Sequence, residues 1–371
     1  MDYKGRQQRL RSALALHRLD ALLIIHLPNI LYLCGFHGSA GVLLVTASRS
    51  VFFSDGRYTT QARSEVEGTR IVISSKAPLT AAAEWLANHG RKKAERHSSP
   101  RASPFRVGID ADRLPVSARN RLAVVLPSGI RLREAPNLVE QARMVKDPQE
   151  IQRIRAAVLM GADLFDSALA AIRPGVTETQ VAAEMEYAAR RAGAEAMSFP
   201  TIVAAGKRSA LPHGRASRTE IPARGFVVCD FGVILCDYCS DMTRTVYVGR
   251  PSPGERRAYQ AVKEAQQAAL DAVRPGVSVS EVDRAARKRL QNSGLAKYFT
   301  HSTGHGVGLE IHEPPRVGAG QPDILLPGMV ITIEPGVYVP DQWGVRIEDM
   351  AVVTERGCEV LTPTSKELVE I

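Results

Sequence analysis

The sequence lacks any apolar run long enough to cross a membrane, and its longest early candidate, ALLIIHL (21–27), has the length of a strand. The first twenty residues mix charged and apolar side chains in a helical pattern and contain no apolar signal core. Cysteine is scarce as well, since five cysteines in 371 residues do not form a disulfide framework. We therefore expect a cytoplasmic protein with no membrane segment.

A complete set of zinc ligands is also missing. Cys236 and Cys239 form a C-x-x-C pair, but no second cysteine pair and no histidine pair stands at the spacing that structural zinc requires. Apolar residues make up 44% of the chain and charged residues 23%, which is ordinary for a globular protein. A chain of 371 residues is long enough for two domains.

The net charge of +9 is concentrated in the first part of the chain. Residues 1–140 contain 21 Lys and Arg against 11 Asp and Glu, whereas the remainder has 27 against 28. Much of the excess lies in RKKAERHSSPRASPFR (91–106), which has no apolar period and reads as an exposed loop insertion. Because no aromatic residues or helix-turn-helix pattern accompany these charges, nucleic acid is not the expected partner.

Short strands and helices alternate through the first third of the chain. We predict strands at 20–25, 41–46, 51–54, 70–74 and 105–110, and helices at 55–66, near 79–89 and at 116–125. This pattern indicates an α/β domain over residues 1–135. Asp147 and Pro148 then read as the N-cap and first residue of a long helix, so a second domain is expected over 136–371, with the boundary between 135 and 148.

The second domain contains an internal repeat. AIRPGVTETQVAAEMEYAARRAG (171–193) resembles AVRPGVSVSEVDRAARKRLQNSG (272–294), and GFVVCDFG (225–232) resembles GMVITIEPG (328–336). An offset of about 100 residues is too long for a solenoid repeat and predicts a duplicated half-domain with a pseudo-two-fold axis. Residues at equivalent strand ends of the two halves should therefore meet.

Each half supplies two acidic residues in strand-like surroundings: Asp230 and Asp241 in the first, Glu334 and Glu348 in the second. Four carboxylates that meet inside a fold would repel one another unless cations lie between them. Oxygen ligands suit manganese, cobalt or iron better than thiophilic metals. The sequence thus predicts a site for a pair of divalent ions.

Histidines flank the acidic strands. His305 lies between two glycines in HSTGHGVGLEIHEPP (301–315), so its backbone can approach a ligand closely. His312 follows in the same segment, and His213 precedes the first acidic strand. We interpret His301 as structural.

These motifs resemble those of the pita-bread metallopeptidases. FPTIVAAG, LPHG, SDMTRT, GHGVGLEIHEPP, IEPGVYV and GVRIED are similar to the Xaa-Pro peptidase branch, which includes aminopeptidase P and prolidase. NILYLCGFHGSAGVLLVT (29–46) and FFSDGRYTTQA (52–62) resemble the creatinase-like N-terminal domain of that branch. The resemblance covers most of the chain. It implies a creatinase-like α/β domain, a pita-bread catalytic domain, and hydrolysis of the peptide bond before proline.

The resemblance also implies the roles of individual residues. Two metal ions per subunit would be held by five ligands: Asp230, Asp241, His305, Glu334 and Glu348. A metal-bridging hydroxide would attack the carbonyl carbon before proline, with Glu334 moving the proton to the leaving nitrogen. His213 and His312 would bind substrate and stabilise the oxyanion. Arg346, two residues before Glu348 and so on the same strand face, would orient the bridging carboxylates or contact substrate.

Several alternatives stay open. Manganese is the expected metal, with cobalt, zinc or iron as alternatives. The enzyme could be an Xaa-Pro dipeptidase or an aminopeptidase, and Arg316 in EPPRVG favours the dipeptidase because it could bind a free carboxylate. A non-catalytic binding module that uses the basic first domain is the alternative to an enzyme. Related peptidases imply a homodimer.

Overall fold

The computed structural model of the chain describes residues 1–95 and 104–371, and of residues 89–95 it describes the backbone. The described residues form two compact units, Met1–Arg143 and Met144–Ile371. The division that the sequence analysis expects after residue 135 stays a prediction. Each unit has its own sheets and its own hydrophobic core.

The first unit is built around one six-stranded mixed sheet in the order β4-β3-β2-β1-β5-β6. Leu23, Leu44, Phe53 and Val107 belong to its buried core. Its elements in chain order are α1 (Tyr3–Leu16), β1 (Ala21–Ile24), α2 (Leu27–Cys34), β2 (Val42–Thr46), β3 (Ser50–Asp55), a 3₁₀ turn (Gly56–Tyr58), α3 (Thr59–Glu65), β4 (Arg70–Ser74), α4 (Pro78–Glu95), β5 (Phe105–Asp110), α5 (Val116–Val125), β6 (Ile130–Ala135) and α6 (Leu138–Met144).

The predicted loop over 91–106 is wrong at both ends. Residues 91–95 continue α4, and Phe105 and Arg106 begin β5, whereas residues 96–103 lie outside the described residues. The helix predicted over 55–66 is shorter, because Asp55 ends β3 and its side chain accepts a hydrogen bond from Arg57 N in the 3₁₀ turn. The predicted strands and the helix at 116–125 are present.

The second unit contains four long helices and several small antiparallel sheets. Its elements are α7 (Pro148–Ala171), α8 (Glu178–Ala192), β7 (Ala196–Met197), β8 (Ile202–Ala205), a 3₁₀ helix (Gly206–Ala210), β9 (Gly225–Phe231), β10 (Val233–Leu235), β11 (Tyr238–Cys239), β12 (Met242–Val248), α9 (Pro253–Ala272), α10 (Val279–Asn292), a 3₁₀ turn (Ala296–Tyr298), β13 (Gly304–Gly306), β14 (Glu313–Val317), β15 (Val330–Ile333), β16 (Gly336–Val339), β17 (Trp343–Arg346), β18 (Asp349–Val353) and β19 (Cys358–Val360).

The duplication predicted from the sequence is confirmed. In each half a long helix ends in an Arg-Pro-Gly-Val turn, and the glycine, Gly175 or Gly276, has a φ of 82°. A hydroxyl side chain then caps the next helix, Thr177 for α8 and Ser278 for α10. Each half also contains an antiparallel strand pair, β9 with β12 and β15 with β18. Because these pairs are equivalent, their ends are where equivalent acidic residues are found.

Each helix pair covers one strand pair. Helices α7 and α8 share a core with β9 and β12, in which Val181, Met185 and Val227 are wholly buried. Helices α9 and α10 share a second core with β15 and β18. Asp147 is the N-cap of α7 and Pro148 its first residue, so the predicted helix start is confirmed, and the structure adds a capping box between Asp147 and Glu150. No helix among the described residues is long and apolar enough to span a membrane.

Candidate metal centre

Four acidic residues occupy equivalent places in the two halves. Asp230 lies in β9 and Glu334 directly follows β15, while Asp241 directly precedes β12 and Glu348 directly precedes β18. The sequence analysis expects all four in strand surroundings, but three of them lie at strand ends rather than within a strand. A strand end lets a side chain leave the pleat, so acidic residues from both halves can face one cavity.

His305 is brought close to the acidic residues by its glycine neighbours. A Cβ atom at Gly304 would lie 1.9 Å from Thr332 O, and one at Gly306 would lie 2.4 Å from Pro314 O. Only glycine therefore permits β13 to approach its neighbours so closely. The register of the β13–β14 pair shifts between His305 and Gly306, which is the signature of a bulge.

The ligand atoms converge within the distances of a metal site. Asp241, His305 and Glu348 each offer one ligand atom, and these atoms lie within 4.8 Å of one another. His305 Nε2 is 3.3 Å from Glu334 Oε1 and 3.6 Å from Asp241 Oδ2. Because His305 Nδ1 lies 3.0 Å from the carbonyl oxygen of Gly306, Nδ1 carries the proton and Nε2 presents its lone pair to the carboxylates. A lone pair that faces carboxylate oxygens needs a proton or a cation between them.

The pKa shifts within the cluster also favour bound cations. Burial, together with the neighbouring carboxylates, raises the pKa of Asp241 and of Glu348 well above their usual values. Burial and the charge of Asp230 raise the pKa of Glu334 to about 8, although the positive charge of Arg346 acts to lower it. Burial lowers the pKa of His305 to about 4, with the neighbouring His312 acting in the same direction. A cluster that disfavours both carboxylate charge and imidazolium charge is suited to hold metal cations.

Within the acidic cluster, two buried carboxylate oxygens have no hydrogen-bond partner among the described residues, Asp230 Oδ1 and Glu348 Oε1. The other oxygen of each is satisfied, since Asp230 Oδ2 accepts from Arg346 Nη2 and Glu348 Oε2 accepts from Thr243 Oγ1 at 2.7 Å. Buried acceptors without partners are costly. Their chemistry fits a divalent cation, which takes carboxylate oxygens as ligands.

Arg346 takes a different position from the expected one. It ends β17, whereas Glu348 lies outside the strand, so the two do not share a strand face. Its buried guanidinium donates directly to Asp230 at 2.5 Å, and its Nε donates to Thr243 Oγ1 at 3.1 Å. Thr243 in turn donates to Glu348. Arg346 therefore contacts one acidic residue directly and a second one through a threonine hydroxyl.

The acidic cluster lines a cavity of about 850 Å³ in the second unit. The cavity brings together all nine residues that the sequence analysis assigns to the site, listed here in chain order: His213, Asp230, Asp241, His305, His312, Arg316, Glu334, Arg346 and Glu348. The rings of His305 and His312 are 4.4 Å apart between centroids. Arg316 is exposed and faces the cavity from β14.

The structure adds residues that the sequence analysis did not assign to the site, among them His301, which the sequence analysis interprets as structural. His301 lines the cavity, and its Nε2 is 3.0 Å from the hydroxyl of Tyr338, which accepts a hydrogen bond from Arg346 Nη1 at 2.6 Å. Arg215 also lines the cavity. His301 and Tyr338 are 37 positions apart, so no local spacing in the sequence could reveal the contact.

The raised pKa of Glu334 predicts how the stability of metal-free protein depends on pH. A group whose pKa is raised on folding contributes stability that is present below its ordinary value of 4.5 and lost as pH rises through about 8. We expect the Tm of chelated protein to fall as pH rises from about 4.5 to about 8, and added Mn²⁺ to restore more stability at the upper end of this range.

The matched control for this prediction is Glu334→Gln, which removes the titrating group at nearly constant shape. Chelated Glu334→Gln protein should lose less stability than chelated wild type over the same pH range. Differential scanning calorimetry measures both. Identical pH dependence in the two proteins would contradict the assignment of the effect to Glu334.

A duplicated unit that gathers four carboxylates and an imidazole in the wall of one cavity has the donor set of a metal-dependent enzyme. Comparison with known proteins agrees with this class. Residues 152–355 match the model of metallopeptidase family M24, and residues 6–145 match the creatinase/prolidase N-terminal domain. The chain belongs to metallopeptidase family M24 and is a peptidase. Membership implies divalent metal ions, and it supports an enzyme rather than the non-catalytic binding module.

Individual relatives extend the comparison. The chain is 44% identical over 233 residues to an Xaa-Pro dipeptidase of Pyrococcus furiosus. The aligned region covers 63% of this chain and 67% of that protein. The structure of this chain is similar to that of an Xaa-Pro dipeptidase from Bacillus anthracis, with a TM-score of 0.92 and 36% identity over all of both chains. It is also similar to an X-Pro aminopeptidase from Thermotoga maritima, with a TM-score of 0.84 and 32% identity over 97% of this chain and 100% of the other.

Proposed function

We propose that this peptidase hydrolyses the bond before proline in Xaa-Pro substrates, and that two divalent ions per subunit are bound by Asp230, Asp241, His305, Glu334 and Glu348. The observation that carries the proposal is the unsatisfied ligand cluster, in which two buried carboxylate oxygens have no partner among the described residues. The similarity to Xaa-Pro dipeptidases supports the substrate class. Manganese is the proposed metal, because four of the five ligands are carboxylates.

When bound, the ions would lower the pKa of a water molecule and polarise the scissile carbonyl. The protein's own residues supply positioning and proton transfer. Glu334 is the proposed proton carrier, because its partly buried carboxylate belongs to the cluster and lines the cavity. Thr332 Oγ1 donates to Glu334 Oε1 at 3.2 Å and accepts from His305 N at 3.1 Å, so one hydroxyl orients both groups.

His213 and His312 are the proposed contacts to the substrate carbonyl and the developing oxyanion. Both line the cavity, and neither belongs to the convergent ligand group of Asp241, His305 and Glu348. Burial lowers the pKa of His312, so the neutral imidazole is favoured at neutral pH. A neutral imidazole can donate one hydrogen bond to a carbonyl oxygen without adding charge to the crowded site.

Apolar side chains in the lining of the cavity suit a proline ring. Phe199, Ile202 and Ile311 line the cavity, and Pro200 lies beside them. A proline residue buries its ring and has no N–H to satisfy, so an apolar surface can select it. This lining supports proline as the second residue of the substrate.

Two guanidinium groups favour a dipeptide over a longer peptide. Arg215 and Arg316 both line the cavity, and a guanidinium is the preferred partner of a carboxylate. In an Xaa-Pro dipeptide the free carboxylate of proline lies close to the scissile bond. We therefore propose that dipeptides are the preferred substrates.

Removal of the substrate carboxylate tests this preference. Mn²⁺-loaded enzyme should hydrolyse Ala-Pro, and kcat/KM for Ala-Pro-amide should be lower by about tenfold to a hundredfold, since a charged hydrogen bond contributes about 1.5–3 kcal/mol. Arg316→Ala should lower kcat/KM for Ala-Pro and leave that for the amide nearly unchanged. Equal rates on both substrates would support an aminopeptidase instead. No cleavage of any proline peptide by metal-loaded protein would refute the proposed function.

The cellular location and the oligomeric state are also proposed. A cytoplasmic homodimer is proposed from the family resemblance and from the cysteines, all five of which are free. Light scattering at micromolar concentration tests the dimer, and a monomeric mass would contradict it.

A further inference from the structure

Glu178 is a buried carboxylate outside the metal centre. It is the first residue of α8, and its side chain is wholly buried. Its Oε1 accepts from Ala205 N at 2.9 Å, and its Oε2 accepts from Ser217 N at 3.0 Å and Ser217 Oγ at 2.7 Å. Arg208 Nε lies 3.1 and 3.0 Å from the two oxygens. All of these donors belong to one segment, residues 205–217.

That segment carries three residues of the cavity wall, Pro212, His213 and Arg215. Arg208 Nη2 donates to Arg215 O at 2.8 Å, and Arg215 N donates to His213 O at 2.9 Å. The hydrogen bonds therefore run from Glu178 through Arg208 to the backbone beside His213. Both ends of the segment, Ala205 and Ser217, are held by the same carboxylate.

The duplicated half offers an internal comparison. In both halves the turn makes the same backbone hydrogen bonds: Gly175 N to Ile221 O and Glu178 N to Thr219 O in the first, Gly276 N to Leu325 O and Val279 N to Asp323 O in the second. Val279 thus stands where Glu178 stands, and it is also wholly buried. The turn itself does not require a carboxylate.

Burial of a carboxylate is costly unless it is paired and hydrogen-bonded. The first half carries that cost and the second half, with Val279 at the equivalent place, does not. Because every donor to Glu178 lies in the segment that carries His213, the carboxylate serves that segment. We infer that Glu178 is a positioning residue, which together with Arg208 holds residues 205–217 so that His213 and Arg215 face the cavity.

The inference rests on the proposed function, because it assigns His213 to substrate binding. Glu178→Gln keeps the side-chain shape and removes the charge. We expect it to lower kcat/KM for Ala-Pro by about tenfold to a hundredfold, as for loss of a charged hydrogen-bond network, while the bound metal stays unchanged. Glu186→Gln, an exposed position on the same helix, is the control and should match wild type.

A double-mutant cycle separates positioning from general stability. In a background with both His213→Ala and Arg215→Ala, Glu178→Gln should change kcat/KM by less than about twofold, because both residues through which it acts are gone. An equal loss in both backgrounds would overturn the inference. If Glu178→Gln does not fold, Ser217→Ala removes one of the hydrogen bonds and should give a smaller loss with the same dependence on His213 and Arg215.

Hydrogen exchange provides a readout that does not depend on activity. Glu178→Gln should accelerate exchange in peptides covering 205–217 and leave peptides of α9 and α10 unchanged. Unchanged exchange in 205–217 would refute the inference even if the enzyme is active. Wild type that cleaves no proline peptide would instead refute the proposed function, and the exchange result would still decide whether Glu178 holds the segment.

Discussion

Glu348→Gln is expected to lower kcat/KM for Ala-Pro by at least about 10³-fold, since metal ions contribute several kcal/mol to the transition state. The substitution is nearly isosteric. The hydrogen bond from Thr243 Oγ1 to Oε2 can persist if the amide oxygen takes the Oε2 position. The amide nitrogen then replaces Oε1, the buried oxygen that has no partner among the described residues. A donor group there repels a cation that the carboxylate would bind.

The same substitution should act on stability in the opposite direction. Glu348 is buried among other carboxylates, which raise its pKa well above the usual value. Removal of one acid from this group relieves repulsion in the metal-free protein. We therefore expect chelated Glu348→Gln to be at least as stable as chelated wild type, while Mn²⁺ raises its Tm less than that of wild type.

Metal analysis and calorimetry test both parts together. Glu281→Gln, an exposed position on α10, is the matched control and should retain wild-type metal content and activity. A Glu348→Gln protein with two bound ions and full activity would show that this carboxylate is not a ligand. Lower stability of the chelated variant would show that Glu348 contributes to the fold rather than opposing it.

His312→Ala is expected to lower kcat by about 10²–10³-fold, the usual effect of losing one donor to an oxyanion. In contrast to Glu348→Gln, it should leave the metal content unchanged. The ring of His312 is 4.4 Å from that of His305 between centroids, but His312 is not one of the five proposed ligands. The two substitutions thus separate substrate binding from metal binding.

The control for His312→Ala is His17→Ala, an exposed position at the end of α1 in the other unit. Steady-state kinetics and metal analysis should show no change for it. Loss of metal in His312→Ala would make His312 a ligand. An unchanged kcat with a raised KM would restrict its role to ground-state binding.

The acidic residues were predictable because the chain repeats itself. Asp230 and Glu334 stand at the end of apolar strands in two similar sequences, and a carboxylate in such a place indicates pairing or a metal. The glycines around His305 were a second local signal, since they permit the close approach that β13 makes. Patterns of this kind depend on residues near one another in the chain.

Other features depend on contacts between distant residues and could not be predicted. The contact of His301 with Tyr338 joins positions 37 apart, and the contact of Arg346 with Asp230 joins positions 116 apart. Glu178 reads as an ordinary acidic residue in the first turn of a helix, where negative charge is common. Its function in holding residues 205–217 follows only from the fold.

Strand and helix ends were the weakest part of the sequence analysis. The apolar run VITIEPGVYV suggests one continuous strand, but β15 ends at Ile333 and β16 begins at Gly336, with Glu334 and Pro335 between them. Proline cannot donate to a strand ladder, and this explains the break. The break is also what frees Glu334 to face the cavity.

Anomalous diffraction from crystals of Mn²⁺-loaded protein tests the metal centre most directly. We predict two peaks in the second unit, within coordination distance of Asp230, Asp241, His305, Glu334 and Glu348, in a protein that cleaves Ala-Pro. A protein that cleaves Ala-Pro but shows no peak among these five residues, or binds its metal elsewhere, would contradict the account.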